Sequence, residues 1–142
     1  MLKKHRKVLN RVAPWIAVAA AALLSGCAAL GTATPEQLVQ ERSTARWKAL
    51  VAGDLKTGYD MLAPSYRAVS SYERYTSGMG SVATWVAAEV LHVDCETAQK
   101  CTARVKIEAK PIAVKDYRGT ISTGVDETWL LEDGEWWLYQ KL

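Results

Sequence analysis

Two hydrophobic periods divide the chain near Ser81. Before that point apolar residues recur at helical spacing; after it they alternate. Thr34-Pro35-Glu36-Gln37 reads as a helix start, with Thr as N-cap, Pro in the first turn and Gln three residues on. The helix is predicted to run to about Ala52, with Val39, Trp47, Leu50 and Val51 on one face. Gly53-Asp54 closes it and caps a second helix that carries Leu55, Tyr59 and Leu62 and stops before Pro64. Ser70-Ser71-Tyr72-Glu73 predicts a short third helix ending near Gly78.

Beyond Ser81 the period is two. Residues 82–95 predict a strand, bulged near Ala87-Ala88. In residues 101–109, Cys101, Ala103, Val105, Ile107 and Ala109 fall on one side and Thr102, Arg104, Lys106 and Glu108 on the other, as in an antiparallel strand with one wet face. Residues 118–131 and 135–141 predict two more strands, joined through the Asp133-Gly134 hairpin signal. Helices first and an antiparallel sheet after make residues 35–142 an α+β domain.

The segment before this domain has another character. Residues 1–11 hold five Lys/Arg and no acid, and residues 12–24 hold no charge. With the small residues Ser25 and Gly26 they read as a secretory signal peptide over 1–26. The apolar run of 13 residues is shorter than the roughly 20 a bilayer-spanning helix needs. Without the signal, 13 Lys+Arg stand against 15 Asp+Glu, a net charge near −2. The basic balance of the whole chain is thus no argument for a nucleic-acid partner, which calls for clustered cations on the folded domain.

Leu24-Ser25-Gly26-Cys27 resembles the lipobox of bacterial lipoproteins. The resemblance implies cleavage before Cys27, a diacylglycerol on its thiol and an acyl chain such as palmitate on the new amino terminus. Two or three chains hold far more firmly than one. Ala28 in place of Asp implies passage to the periplasmic face of an outer membrane, where there is one; otherwise the expected location is the outside of the cell membrane. Residues 27–34 comprise the lipidated Cys27 and a short linker. Its seven residues after Cys27 reach at most about 24 Å, which keeps the domain near the membrane. Two cysteines remain. Cys95 and Cys101 can face each other across a hairpin whose loop is 96–100, and an oxidising compartment favours a disulfide there. Free thiols are one alternative. A metal site is another, although His92 and Asp94 are not at a familiar ligand spacing.

The order of elements resembles the NTF2-like fold, the superfamily of SnoaL and ketosteroid-isomerase-like domains. "RWKALVAGDLKTGYDMLAPSYR" (46–67) resembles its opening helical pair, and "ETWLLEDGEWWLYQ" (127–140) its last two strands. This resemblance implies a strongly curved sheet wrapped on the helices as a cone, a pocket at the wide end, and dimers through the outer sheet face.

Acid–base catalysis in such a cone needs a carboxylate or histidine in the pocket. Asp60, His92 and Asp126 are the candidates; none falls in a catalytic motif, and Asp126-Glu127 reads as a solvated stretch of strand. The composition is skewed to aromatics with polar tips, six Trp and six Tyr with no Phe, which suit pockets and interfaces. Tyr59, Tyr66, Tyr72 and Trp136 are the expected pocket residues. Trp136 and Leu138 are expected to point inward, and Trp137 and Tyr139 outward as an interface. The expectation is a non-catalytic, membrane-anchored domain that uses no cofactor and no metal. It would bind a small apolar ligand, an envelope protein or a second copy of itself. The alternative is an isomerase or dehydratase with an acid–base residue in the cone.

Overall fold

A computed structural model describes residues 32–77, 79, 83–112 and 114–142. The expected signal peptide and Cys27 lie outside the described residues. Ala33–Leu142 form one compact unit with its own core. No helix among the described residues is long and apolar enough to cross a membrane.

Helix α1 spans Pro35–Val51 and starts at the expected capping box. The Thr34 hydroxyl accepts from the Gln37 N–H at 3.3 Å, and the Gln37 side chain accepts from the Thr34 N–H at 2.9 Å. Gly53, at φ +82°, turns the chain in the left-handed region that glycine tolerates. Asp54 then caps α2 (Leu55–Asp60), accepting from the Thr57 N–H and hydroxyl at 3.1 and 2.6 Å. Those two bonds hold its carboxyl below the usual range. Pro64, expected only to end a helix, also begins one, α3 (Pro64–Arg67), in the first-turn position that proline suits. Helix α4 spans Tyr72–Ser77.

Strands β1 (Ala83–Thr97), β2 (Lys100–Pro111), β3 (Ile121–Glu132) and β4 (Glu135–Leu138) form one antiparallel sheet in the order β1-β2-β3-β4. β2 keeps the clean alternation of the sequence, its odd-numbered residues from 101 to 109 buried. β1 does not alternate simply. Its pairing with β2 slips at Val86, Leu91 and Glu96, one extra residue every five. Each bulge restores the inward direction, so Trp85, Ala88, Val90, Val93 and Cys95 all face the helices while Val86 and Leu91 stay exposed. At the β3–β4 turn Asp133 (φ +53°) and Gly134 (φ +80°) take the two left-handed positions a tight hairpin needs.

Free sheet edges invite further pairing. On β4, Leu138 donates to the Met61 carbonyl at 2.9 Å and accepts from the Ala63 N–H at 3.0 Å, so residues 61–63 cover that edge. On β1, Gln40 of α1 donates to the Val90 carbonyl at 3.2 Å. Cys95 and Cys101 are register partners and are disulfide-bonded. The turn between their strands is tighter than expected, residues 98 and 99 alone.

One face of the sheet carries α1. Val39, Trp47 and Leu50 are buried against it, and Trp47 meets Trp85 edge-on with ring centres 5.6 Å apart. Within this contact lies a polar cluster. Glu127 of β3, only 6% exposed, accepts from the Ser43 hydroxyl (2.7 Å), an Arg46 Nη1 (2.5 Å), the Trp47 indole (2.8 Å) and the Trp129 indole (3.3 Å). This corrects the expectation that Glu127 is solvated: the strand's alternation puts it on the covered face, and the donors of α1 satisfy it there.

Reducing the Cys95–Cys101 bond is expected to lower the unfolding free energy of residues 33–142 by about 2 kcal/mol, the closure entropy of so short a loop. Denaturant titration with and without reductant measures it; coincident curves would contradict it. Glu127→Gln leaves Arg46 buried without its counter-charge and is expected to cost about 3–5 kcal/mol. Combined with Arg46→Met it should cost less than the two single changes summed. A double-mutant cycle showing simple additivity would contradict the coupling.

Candidate functional site

A buried carboxylate in a fold of this size is the first place to look for acid–base chemistry. Both Glu127 oxygens are occupied: Oε1 by Arg46 and Trp47, Oε2 by Ser43 and Trp129. A carboxylate offers about four acceptor positions, and all four are used. It has no free lone pair with which to take a substrate proton. Arg46 extends the cluster by donating to the Tyr75 hydroxyl at 3.3 Å. Burial pushes the Tyr75 hydroxyl above its ordinary value, and the neighbouring guanidinium partly offsets the rise. The carboxylate is saturated, whereas the Arg46 Nε is buried without a hydrogen-bond partner among the described residues.

The sequence-derived acid–base candidates sit elsewhere on the surface: His92 and Asp126 flank Arg104 in the sheet register, and Asp60 lies on α2. Asp60 pairs with Lys56 one helical turn away, His92 approaches Asp94 at 3.4 Å, and Asp126 pairs with Arg104 across strands at 2.9 Å. All three are exposed. No group of three potential metal ligands occurs among the described residues.

The expected pocket residues do not line one common pocket, although Tyr59, Tyr66 and Tyr72 lie near one another. Tyr59 is buried, its hydroxyl donating to the Ser70 carbonyl at 2.8 Å. Tyr72 packs edge-on against Tyr59 at 5.6 Å, as part of the helical packing. Trp136 points inward as expected, but into the filled core, 4% exposed. Of the four, Tyr66 lines open grooves. The reason is size: with so many large aromatics the space between helices and sheet is filled, leaving grooves only at the periphery.

Tyr66 stands between two such grooves. One, of about 340 Å³, runs between α3 and the chain after β4 and is lined by Ala63, Ser65, Tyr66, Tyr139, Gln140 and Lys141, with Leu142 at its end. The other, of about 290 Å³, is lined by Tyr66, Ser70, Arg74, Tyr75, Met79 and Gln140. Tyr66 and Gln140 are common to both. Ser70 donates to the Tyr66 hydroxyl at 3.3 Å and steadies the ring. The helix α3 that presents Tyr66 is fixed by the Arg67 Nε–H, which donates to the Leu62 carbonyl at 3.0 Å. A third groove of about 340 Å³ opens between α1 and β1, over Trp47, Val51, Ala87 and Ala88.

The two residues of the expected outer-face interface differ in their surroundings. Tyr139 is exposed, but it lines the first groove opposite Tyr66. Trp137 is half-buried, its ring centre 5.6 Å from the Arg42 guanidinium and 5.4 Å from that of Arg67. Gln140 and Arg74 escaped sequence reasoning because nothing in their spacing marks them; the fold alone puts them beside Tyr66. The available signal was Ala63-Pro64, a helix start as well as a stop.

No protein-family profile and no curated protein matches the chain. Solved structures do resemble it. The solution structure of a SEC-C motif-containing protein from Rhodopseudomonas palustris aligns with a TM-score of 0.51 at 15% identity, over 75% of this chain and 76% of that one. The crystal structure of a SEC-C motif-containing protein from Psychrobacter arcticus aligns with a TM-score of 0.58 at 12% identity, over 78% of this chain but 63% of that one, less than two thirds of its length. These likenesses correct the expected NTF2-like family: the similar structures are described as SEC-C motif-containing proteins. A helical pair with a Gly-Asp turn and a hairpin with an Asp-Gly turn are local solutions open to many α+β domains, so the motifs behind that resemblance do not fix a family. At such identities the chain shares with the two SEC-C motif-containing proteins a fold, an antiparallel sheet with helices on it.

Proposed function

We propose that the chain is an extracytoplasmic binding domain, attached to a membrane through acyl chains on Cys27, whose ligand is a small apolar or aromatic molecule held at Tyr66. The observation that carries the reading is the pair of grooves sharing Tyr66 and Gln140. Together they offer three tyrosines, Tyr66, Tyr75 and Tyr139, with further polar groups at Ser65, Ser70, Arg74 and Gln140. The first groove is mostly apolar with a few polar groups, the usual design of a small-ligand site, and the second is the more polar of the two. The saturated Glu127 supports binding over acid–base turnover, since the buried carboxylate is committed to the fold. Attachment rests on the basic and apolar stretches of residues 1–24 and on Leu24-Ser25-Gly26-Cys27.

Mass spectrometry of molecules that co-purify with residues 33–142, followed by titration of those found, tests the ligand. Tyr66→Ala is expected to weaken binding at least tenfold, as the loss of one ring's contact allows, while Trp137→Ala changes it little. Equal effects of the two would move the site away from Tyr66. Cys27→Ser in the full chain is expected to release the protein from the membrane fraction and to block its processing. Unchanged fractionation and size would contradict the anchor.

A further inference from the structure

The β2–β3 hairpin ends in a segment unlike the rest of the surface. Ile112, Val114, Tyr117 and Ile121 are 60%, 55%, 42% and 48% exposed. Between and beside them stand Lys110, Lys115 and Arg118, all exposed, with Asp116 the single acid. Elsewhere on the sheet the cations are neutralised: Lys100 pairs with Glu96, Arg104 with Asp126 and Lys106 with Glu108. Lys110, Lys115 and Arg118 make no ion pair among the described residues. Residues 110–118 thus carry a charge near +2 on a unit whose total, 13 Lys+Arg against 15 Asp+Glu, is near −2. The unit is electrically lopsided, with its positive end at the hairpin tip.

The tip also has internal order. The Tyr117 N–H donates to the Val114 carbonyl at 3.3 Å, and the Tyr117 hydroxyl to the Thr120 carbonyl at 3.2 Å. Gly119 lets the Tyr117 ring lie close to the backbone, since a Cβ there would stand 3.0 Å from the hydroxyl oxygen. Aliphatic side chains, an amphipathic ring and free cations in one segment match the layers of an anionic bilayer surface. The aliphatic groups reach the acyl boundary, tyrosine suits the headgroup level and Lys/Arg meet the lipid phosphates.

We propose that the tip of the β2–β3 hairpin, residues 110–121, is a membrane-contact site that seats on anionic lipid headgroups. The charge asymmetry orients the unit during approach, and Ile112, Val114 and Ile121 enter the interface. This contact is independent of the Cys27 anchor and of the Tyr66 grooves.

Residues 33–142, a compact unit that lacks Cys27, are the protein to test, by co-sedimentation with vesicles of phosphatidylglycerol mixed with phosphatidylcholine and with vesicles of phosphatidylcholine alone. Binding to the anionic vesicles and not to the neutral ones is expected, weakening as salt rises. Each cation at an anionic surface contributes about fivefold in partitioning, so Lys115→Ser with Arg118→Ser should reduce it at least tenfold. Ile112→Ser with Val114→Ser should reduce it by a similar factor without altering the salt dependence. Lys48→Ser with Lys56→Ser, an equal charge change away from the tip, should reduce it less than threefold. Circular dichroism of each variant checks the fold. No binding at low salt, equal binding to neutral vesicles, or equal losses from the tip and control variants would overturn the proposal. Tip substitutions that abolish self-association while leaving vesicle binding intact would also overturn it, and would assign the patch to a protein contact.

Discussion

Four hydrogen bonds converge on the Glu127 carboxylate, and the placement of α1 on the sheet depends on them. Burial of Val39, Trp47 and Leu50 supplies the attraction between helix and sheet, but apolar burial has no direction and would tolerate a helix slid or rolled by several degrees. Ser43, Arg46 and Trp47 occupy successive positions on one helical face, and all three must reach the same two oxygens. Only one rotation and one axial position of α1 allow that. Trp129, two residues along β3, closes the set from the strand side. An unpaired charge there would be costly, so the cluster forms completely or the contact does not form well.

With α1 fixed, the strand beside it must curve to stay under it. β1 does so through its bulges at Val86, Leu91 and Glu96, which add residues without turning the apolar set outward. The same bulges make β1 a poor template for another strand, as the pairing of β4 with residues 61–63 does at the opposite edge. The disulfide joins β1 to β2 next to a two-residue turn, where a strand pair is already held together by its connection. Its effect is local: it closes the short loop that contains the last bulge and the turn.

The features readable in the sequence are those set by residues near one another along the chain. The capping box of α1, the Gly53-Asp54 turn, the alternation of β2, the Asp133-Gly134 hairpin and the facing of Cys95 and Cys101 all appear where local chemistry put them. The inward Trp136 follows from strand parity. What failed depends on residues brought together from far apart. Glu127 looked like a solvated charge because its partners on α1 lie 80 to 84 positions earlier. Tyr59 and Tyr72 looked like pocket aromatics because sequence does not report how completely a core is filled. Trp137 is more covered than Tyr139 because Arg42 and Arg67, from different helices, lie against its ring.

A core so fully committed leaves the periphery to carry function, and the sheet register separates its two distinctive parts. The Tyr66 groove lies beside Leu138 and Tyr139, at the level where Leu138 pairs with Trp129 and Trp129 with Cys101. The cationic tip begins where Ala109 pairs with Ile121, eight residues further along β2. At about 3.4 Å per residue the two are some 27 Å apart along the strand. A hairpin tip resting on a bilayer would therefore hold the groove clear of the headgroups, open to a ligand arriving from solution. Glu127 matters to that geometry as well: the sheet that sets the distance is the one whose covering helix it holds in place.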